Sequence, residues 1–261
     1  MLGKEFKRYH NLYRNIANWY VYPLHKFGLQ DDNPIVFETR QGYSMEVPRP
    51  LIREFKEIFM TEAYLKGFPI FELDSVKTVV DIGANAGFFS LFSLTRFPNA
   101  RVISFEPFPP NFRLLQKQRS RNPGRNFKLV QMAVSGTPGT LRFYSNESDD
   151  FSTSASLVPN DERHVALNVE SITLEGLFNA HQIKECDLLK MDSEGAEYET
   201  FLQSSDETLS RIKRICMEVH HVKEKNQDIG TIVSFLHRKG FETRSEGNGP
   251  LWMLWAWRGA S

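Results

Sequence analysis

The chain has 261 residues, 41% hydrophobic and 25% charged, with 32 Lys and Arg against 32 Asp and Glu. That length holds one large α/β domain plus an extension, and zero net charge supplies no global field for nucleic acid. Two cysteines make no disulfide framework, no apolar run approaches the roughly 18 to 20 residues of a membrane span, and the polar start lacks a signal core, so the cytoplasm is the expected location.

Residues 4–27 are aromatic and basic, with Tyr9, Tyr13, Trp19, Tyr20 and Tyr22, and read as one or two short helices ending near Pro23. Residues 35–47 alternate across Gln41-Gly42, a hairpin signal. Residues 51–60 carry apolar side chains at helical spacing. From residue 76 the rhythm changes. Strands are expected over 78–82, 101–105, 128–134, 187–191 and 212–219, and helices over 88–96, 111–119, 196–202 and 228–239. This alternation predicts a mainly parallel sheet with helices on both faces. Two further strands, 140–144 and 166–172, interrupt it. A hairpin over 241–257, turning at residues 247–250, should leave the last strand antiparallel. The chain thus divides into a helical and hairpin extension over 1–75 and an α/β domain over 76–261.

Asp81 ends an apolar strand, and Gly83 and Gly87 lie in the turn into the next helix. In open α/β sheets a ligand sits outside the carboxyl ends of the strands, and glycine lets backbone approach it closely. Glu106 ends the next strand, about 20 residues on, where an acid binds ribose hydroxyls. A nicotinamide cofactor fits these features too. However, the dinucleotide pattern needs glycines at the places of Gly83, Asn85 and Phe88, and two of the three are absent. Phe88 also opposes a pyrophosphate at the helix start. Asp81 repels a diphosphate and suits a cationic sulfonium ligand. The loop favours S-adenosylmethionine, with a nicotinamide-dependent oxidoreductase as the alternative.

Asp81-Ile82-Gly83-Ala84-Asn85-Ala86-Gly87, then Phe105-Glu106-Pro107, then Lys190 through Glu197 together resemble the FkbM-type methyltransferases. The resemblance runs from about residue 35 to the C-terminus. It implies a Rossmann-like seven-stranded sheet, S-adenosylmethionine as methyl donor with S-adenosylhomocysteine as product, and O-methylation of a sugar or glycan, or of a polyketide or other small molecule. Carried over by position, it sets Asp81, Gly83, Ala84, Asn85, Gly87 and Phe88 around the methionine part of the cofactor. Glu106 would hold the ribose, with Pro107 and Phe108 beside the adenosine. Met132, Ala133 and Val134 would flank the adenine, and Asp192 the sulfonium and amino group.

Asp192, Glu194 and Glu197 follow one strand, and Glu218, His220 and His221 end the next, so both groups belong to the ligand edge. A hydroxyl acceptor must be held in line with the methyl group and lose its proton to a base. His220 is the first candidate, then Asp192 and Glu194, with Glu218 beside them; spacing does not choose. Such a set can also bind Mg²⁺, but the resemblance requires no metal.

Other features have plainer readings. Ser152-Thr153-Ser154-Ala155-Ser156 is loop chemistry that the family resemblance sets near the active-site mouth. Seven Lys or Arg and no acid between Pro107 and Asn146 read as a solvated helix face rather than a site for an anionic acceptor. The N-terminal stretch reads as a helix packed on the sheet; a membrane surface, a homo-oligomer contact and a cover over the acceptor site stay open. Tyr64 stands where the family often has a tyrosine near the cofactor. Cys186 and Cys216 are expected to be buried and unbridged, and Trp252, Trp255 and Trp257 to pack.

Overall fold

The computed structural model describes residues 2–69, 76–145, 165–193, 195–221 and 228–259. Helices α1 (Leu2–Asn15) and α2 (Val21–Lys26) precede a hairpin of β1 (Ile35–Glu38) and β2 (Ser44–Val47). Pro23 does not end α2: it lies in the first turn, where the missing N–H has no helical partner to lose, and the helix runs on to Lys26. Residues 51–60 are helical as expected, with α3 (Ile52–Phe55) running into a π-turn at Lys56–Met60.

The chain then alternates: β3 (Thr78–Ile82), α4 (Phe88–Arg96), β4 (Arg101–Phe105), α5 (Pro109–Arg121), β5 (Phe127–Val130). After β6 (Ala133–Val134), β7 (Gly139–Ser145) and β8 (Val165–Ile172) come α6 (Leu174–Ala180), β9 (Leu188–Met191), α7 (Glu197–Leu202), α8 (Asp206–Ser210), β10 (Arg214–His220), α9 (Ile229–Arg238), β11 (Glu242–Asn248) and β12 (Leu251–Trp257). The seven-stranded sheet has the order β11-β12-β10-β9-β3-β4-β5. Strands β10 to β5 in that order are parallel, and β12 is antiparallel to both its neighbours, so the expected Rossmann-like mixed sheet is present.

The expected strand over 128–134 is two strands. Val130 ends the pairing with β4, and Ala133 and Val134 pair instead with β8 in a separate sheet ordered β6-β8-β7. Two helices escape the sequence reading, α6 and α8. Each is capped at its N-terminus by a hydroxyl that accepts a backbone N–H, Thr173 from Gly176 and Ser205 from Thr208.

Alternation along the strands splits the core in two. Val79, Val102, Leu188, Cys216 and Trp255 pack with α4, α5 and the N-terminal stretch. Val80, Ile103, Leu189, Met191 and Met217 pack with α6, α7, α8 and α9. The same alternation turns Asp81, Ser104, Lys190 and Glu218 to the first face. That face is roofed by a chain of rings: Phe37 to Phe55 at 4.2 Å, Phe55 to Phe59 at 5.3 Å, Phe59 to Phe92 at 5.3 Å. Each pair adds about 0.5–1.5 kcal/mol beyond its burial, and together they dock α3 and the π-turn over the sheet. Asn11 and Asn15 donate to the carbonyls of Met60 and Phe59 and hold the turn's end.

Three residues of the basic run are engaged within the protein: Arg121 binds Ser44 and Glu46, Arg119 binds the Phe127 and Asn122 carbonyls, and Arg125 covers the Tyr43 ring. Both cysteines are buried and free, and Trp255 is fully buried. Among the described residues, no helix is long and apolar enough to cross a membrane.

Candidate active site

Strand order reverses between β3 and β9, and at such a point the strand ends leave a crevice. A cavity of about 260 Å³ lies there, walled by residues 83–86, Phe88, Phe89, Lys190, Asp192, Glu218 and His220, and roofed by Arg53, Glu54, Glu57, Ile58 and Tyr64. The strand-end residues Gly83, Ala84, Asn85, Phe88, Asp192, Glu218 and His220, all sequence candidates, thus meet in one place. Glu194 and the hydroxyl-rich residues 152–156 lie outside the described residues.

Lys190 is the hub. It is 3% exposed, and its ammonium donates to the carbonyls of Gly83 at 2.6 Å and Ile82 at 3.2 Å. Asp81 Oδ1 lies 3.4 Å away, Asp192 Oδ2 3.9 Å, and the Tyr64 ring centroid 5.4 Å. Burial disfavours the ammonium, but Asp81, Asp192 and Glu218 outweigh it and raise its pKa. Sequence reading uses Lys190 only as part of a motif. Its signal is a charge inside the apolar run Leu188-Leu189-Lys190-Met191 beside a strand that carries Asp81.

Tyr64 spans the two carboxyl groups, its hydroxyl 3.1 Å from Asp192 Oδ2 and 2.9 Å from Glu218 Oε1. One hydroxyl hydrogen cannot serve both, so a further proton is shared there. Glu218 accordingly binds protons up to about pH 8, through burial first and then the charges of Asp192 and Glu57. Burial, then Asp192, also raises Glu57, and burial raises Glu54. The roof residues Arg53, Glu54 and Glu57 are absent from the sequence candidates. Nothing local marks them, because α3 and the π-turn reach the cavity only through the ring stack. Donor atoms of Asp192, Glu218 and His220 lie within 4.8 Å of one another, a spacing compatible with a cation ligand set. His220 Nδ1 lies 3.1 Å from Glu197 Oε1.

Other sequence candidates lie around this cavity rather than in its wall. Asp81 does not line this cavity: it is fully buried, with Ser90 Oγ donating to Oδ2 at 2.5 Å and Lys190 facing Oδ1, so the ammonium takes the place expected for a cationic ligand. Gly83 (φ +69°) and Gly87 (φ +82°) serve close approach within the protein. A Cβ on Gly83 would fall 1.7 Å from the Asp192 carbonyl oxygen, and one on Gly87 would fall 2.5 Å from Leu115 Cδ1. Glu106 closes on the loop, accepting from the N–H of Asn85 at 2.7 Å and of Phe108 at 2.8 Å. Pro107 leads into Phe108, the residue before α5. Met132 lies past the end of β5, and Ala133 and Val134 are buried in the second sheet; none of the three walls this cavity.

Burial raises the Glu106 carboxyl to about 7, against the two N–H donors. Glu106 and Glu218 therefore keep protons that the unfolded chain releases above about 4.5. Their contribution to stability is full below about 4.5 and is lost as pH rises through 7 and 8, because the native state there binds more protons than the unfolded one. His181, lowered by burial first and then by Lys128 and Arg101, acts in the opposite sense, and only below about 6.5. Urea unfolding should thus show a loss of about 2 kcal/mol between pH 6.5 and 8. Glu218→Gln should flatten that slope; a stability that is level or rising over this range would contradict the two assignments.

The family model described as the methyltransferase FkbM domain matches residues 81–243, more than half of the chain. The chain is 29% identical over 228 residues to the AMB antimetabolite synthetase AmbE of Pseudomonas aeruginosa, an alignment that takes in 72% of this chain but 10% of that protein. It is 27% identical to the 31-O-demethyl-FK506 methyltransferase FkbM of Streptomyces tacrolimicus, over 74% of this chain and 82% of that one. Among solved structures, a precorrin-6y C5,15-methyltransferase from Geobacter metallireducens GS-15 aligns with a TM-score of 0.44 at 16% identity, over 72% of this chain and 85% of that chain.

Proposed function

Because the chain belongs to the FkbM methyltransferase family, we propose that it methylates a hydroxyl oxygen of a sugar or glycan with S-adenosylmethionine as donor. The observation that carries this reading is the cavity wall, where a glycine loop meets Asp192, Glu218 and His220 at the strand ends. The wall suits that donor. Asn85 Oδ1 is buried with no hydrogen-bond partner, and the roof and floor carry four carboxyl groups, Glu54, Glu57, Asp192 and Glu218, against Lys190 and Arg53. A ligand bearing ammonium and sulfonium charges suits that set, because an opposite charge favours the ionised form of carboxyl groups that burial holds toward the protonated one. When bound, the cofactor supplies an electrophilic methyl group.

In this reading Gly83, Ala84, Asn85 and Asp192 hold the methionine part and Glu106 the ribose hydroxyls, with Pro107, Phe108 and residues 132–134 toward the adenine. His220, Asp192 and Glu218 face the acceptor. The half-buried carboxyl groups of the roof, Glu54 and Glu57, can hydrogen-bond a polyol and disfavour an anionic acceptor. A polyketide or other small-molecule hydroxyl is the second reading, supported by the similarity to the 31-O-demethyl-FK506 methyltransferase.

Calorimetric titration with S-adenosylhomocysteine tests the donor, and absence of binding would sink the proposal. At pH 8, where the Glu106 carboxyl is ionised, Glu106→Gln removes charge-assisted acceptors for the ribose, worth about 1.5–3 kcal/mol, so affinity should fall about 10- to 100-fold. Unchanged affinity would move the ribose away from Glu106.

A further inference from the structure

The N-terminal stretch carries charge and apolar surface that the strand-end cavity does not use. Its first 30 residues hold five bases, Lys4, Lys7, Arg8, Arg14 and Lys26, against Glu5 alone, in a chain of zero net charge. Six of the eight large hydrophobic side chains exposed among the described residues fall between residues 6 and 29. Helix α1 is apolar on two sides. Leu12 and Ile16 are buried, while Phe6, His10 and Tyr13, at i, i+4 and i+7, form one exposed stripe. Rings extend that stripe: Phe6 stacks with His10 at 6.5 Å, and Tyr13 meets Trp19 edge-on at 6.0 Å. Beside it, Lys26 Nζ lies 5.5 Å from the Tyr9 ring and 5.7 Å from the Phe27 ring.

A second cavity, of about 380 Å³, opens next to Lys26, between α2, the loop that follows it, and α3. Its wall holds the cations Lys26, Arg49 and Lys56, with His25, against one acid, Asp31. Asp31 pairs with Arg49. Lys26 donates to the Tyr9 hydroxyl at 2.9 Å and keeps two further N–H donors, and no carboxylate among the described residues pairs with Lys56. The His25 side chain is 7% exposed and its Nε2 has no hydrogen-bond partner, with the exposed Asp32 carboxylate 4.0 Å away. The loop that gives Gly28 and Gln30 to the wall also carries Phe27 and Leu29, which are 70% and 74% exposed. A basic cavity rimmed by exposed apolar side chains matches the boundary between lipid headgroups and acyl chains. We propose that this stretch docks the protein on an anionic membrane surface. A headgroup phosphate occupies the cavity beside Lys26, Arg49 and Lys56, and Phe27 and Leu29 insert among the acyl chains. None of these residues walls the strand-end cavity, so the docking surface is independent of the methyl-transfer reading.

The test is co-sedimentation of the full chain with vesicles of phosphatidylcholine alone and of phosphatidylcholine with phosphatidylglycerol. The chain should bind the phosphatidylglycerol vesicles at least about 10-fold more tightly, since each base near an anionic surface adds about fivefold. Arg49→Gln with Lys56→Gln should remove most of that preference. Phe27→Ser with Leu29→Ser should weaken binding to both kinds of vesicle by at least about 10-fold. Both of those side chains are exposed, so the thermal unfolding midpoint should stay at the wild-type value. Wild-type chain that stays in the supernatant with phosphatidylglycerol vesicles overturns the proposal. So does equal binding to the two kinds of vesicle, or wild-type binding by both double variants. Inorganic phosphate that binds where vesicles do not would make the cavity a site for a free anion. A dimer in light scattering that Phe27→Ser with Leu29→Ser dissociates, again without vesicle binding, would make the patch an interface between copies. Either result overturns membrane docking.

Discussion

Replacing Lys190 with methionine is expected to remove about 3–5 kcal/mol of folding stability, the usual cost of breaking a buried charge network by deleting one partner. Methionine fills a similar volume, so the loss is electrostatic. Without the ammonium, Asp81 Oδ1 has no counter-charge, and it accepts no hydrogen bond from any other group. The Gly83 carbonyl loses its Lys190 donor, at about 1–3 kcal/mol for a buried group left unpaired, while the Ile82 carbonyl keeps the Asp192 N–H. Asp81 is already raised by burial, with Lys190 the largest opposing influence, so the variant should protonate it. Lys190→Met with Asp81→Asn should then be more stable than Lys190→Met alone, because the second change removes the stranded charge. Urea denaturation of the four chains in this cycle measures the coupling. A single-mutant loss below about 1 kcal/mol, the scale of an exposed ion pair, would show that the network is not closed to water.

Sequence pattern reveals some of this architecture and hides the rest for physical reasons. Residues 88–96 read as a helix and form α4 with those bounds, because the glycine before it and the apolar run within it agree. The strand expected over 128–134 fails because both of its halves are apolar. What separates Phe127–Val130 from Ala133–Val134 is the choice of partner, β4 or β8, and pairing is a non-local property. The helices α6 and α8 are too short for a periodic signal, although their caps are written in Thr173 and Ser205. In the site, Asp192, Glu218 and His220 stand out as polar residues at strand ends. Glu54 and Glu57 do not, since an amphipathic turn looks the same whether its polar face meets solvent or a cavity. Glu197 is ambiguous for a related reason: an acid in the first turn of a helix serves the helix dipole wherever it is, and only the fold brings His220 to it.

Gly83→Ala should destabilise the ligand-free chain by about 3 kcal/mol, the sum of left-handed strain of about 1–2 kcal/mol and overpacking of about 1–3 kcal/mol. The added methyl group would meet a peptide oxygen, that of Asp192, at 1.7 Å. Neither backbone is free to retreat. Asp192 N–H donates to the Ile82 carbonyl at 3.1 Å, and Lys190 holds the Gly83 carbonyl at 2.6 Å. Relief requires shifting the Asp192 peptide by more than an ångström in order-of-magnitude terms, which pulls its carboxylate from Tyr64. Gly87→Ala is the control. Its φ is equally left-handed, but the obstruction is the far end of the Leu115 side chain, which can rotate away, leaving about 1–2 kcal/mol of backbone strain. The pair separates two explanations of the glycine loop. If Gly83 is glycine to admit a cofactor, Gly83→Ala keeps near wild-type stability without ligand and loses only S-adenosylhomocysteine affinity. If it is glycine to let the loop after β3 cross the Asp192 backbone, stability falls before any ligand is added, and further than in Gly87→Ala. The 1.7 Å approach requires the second outcome.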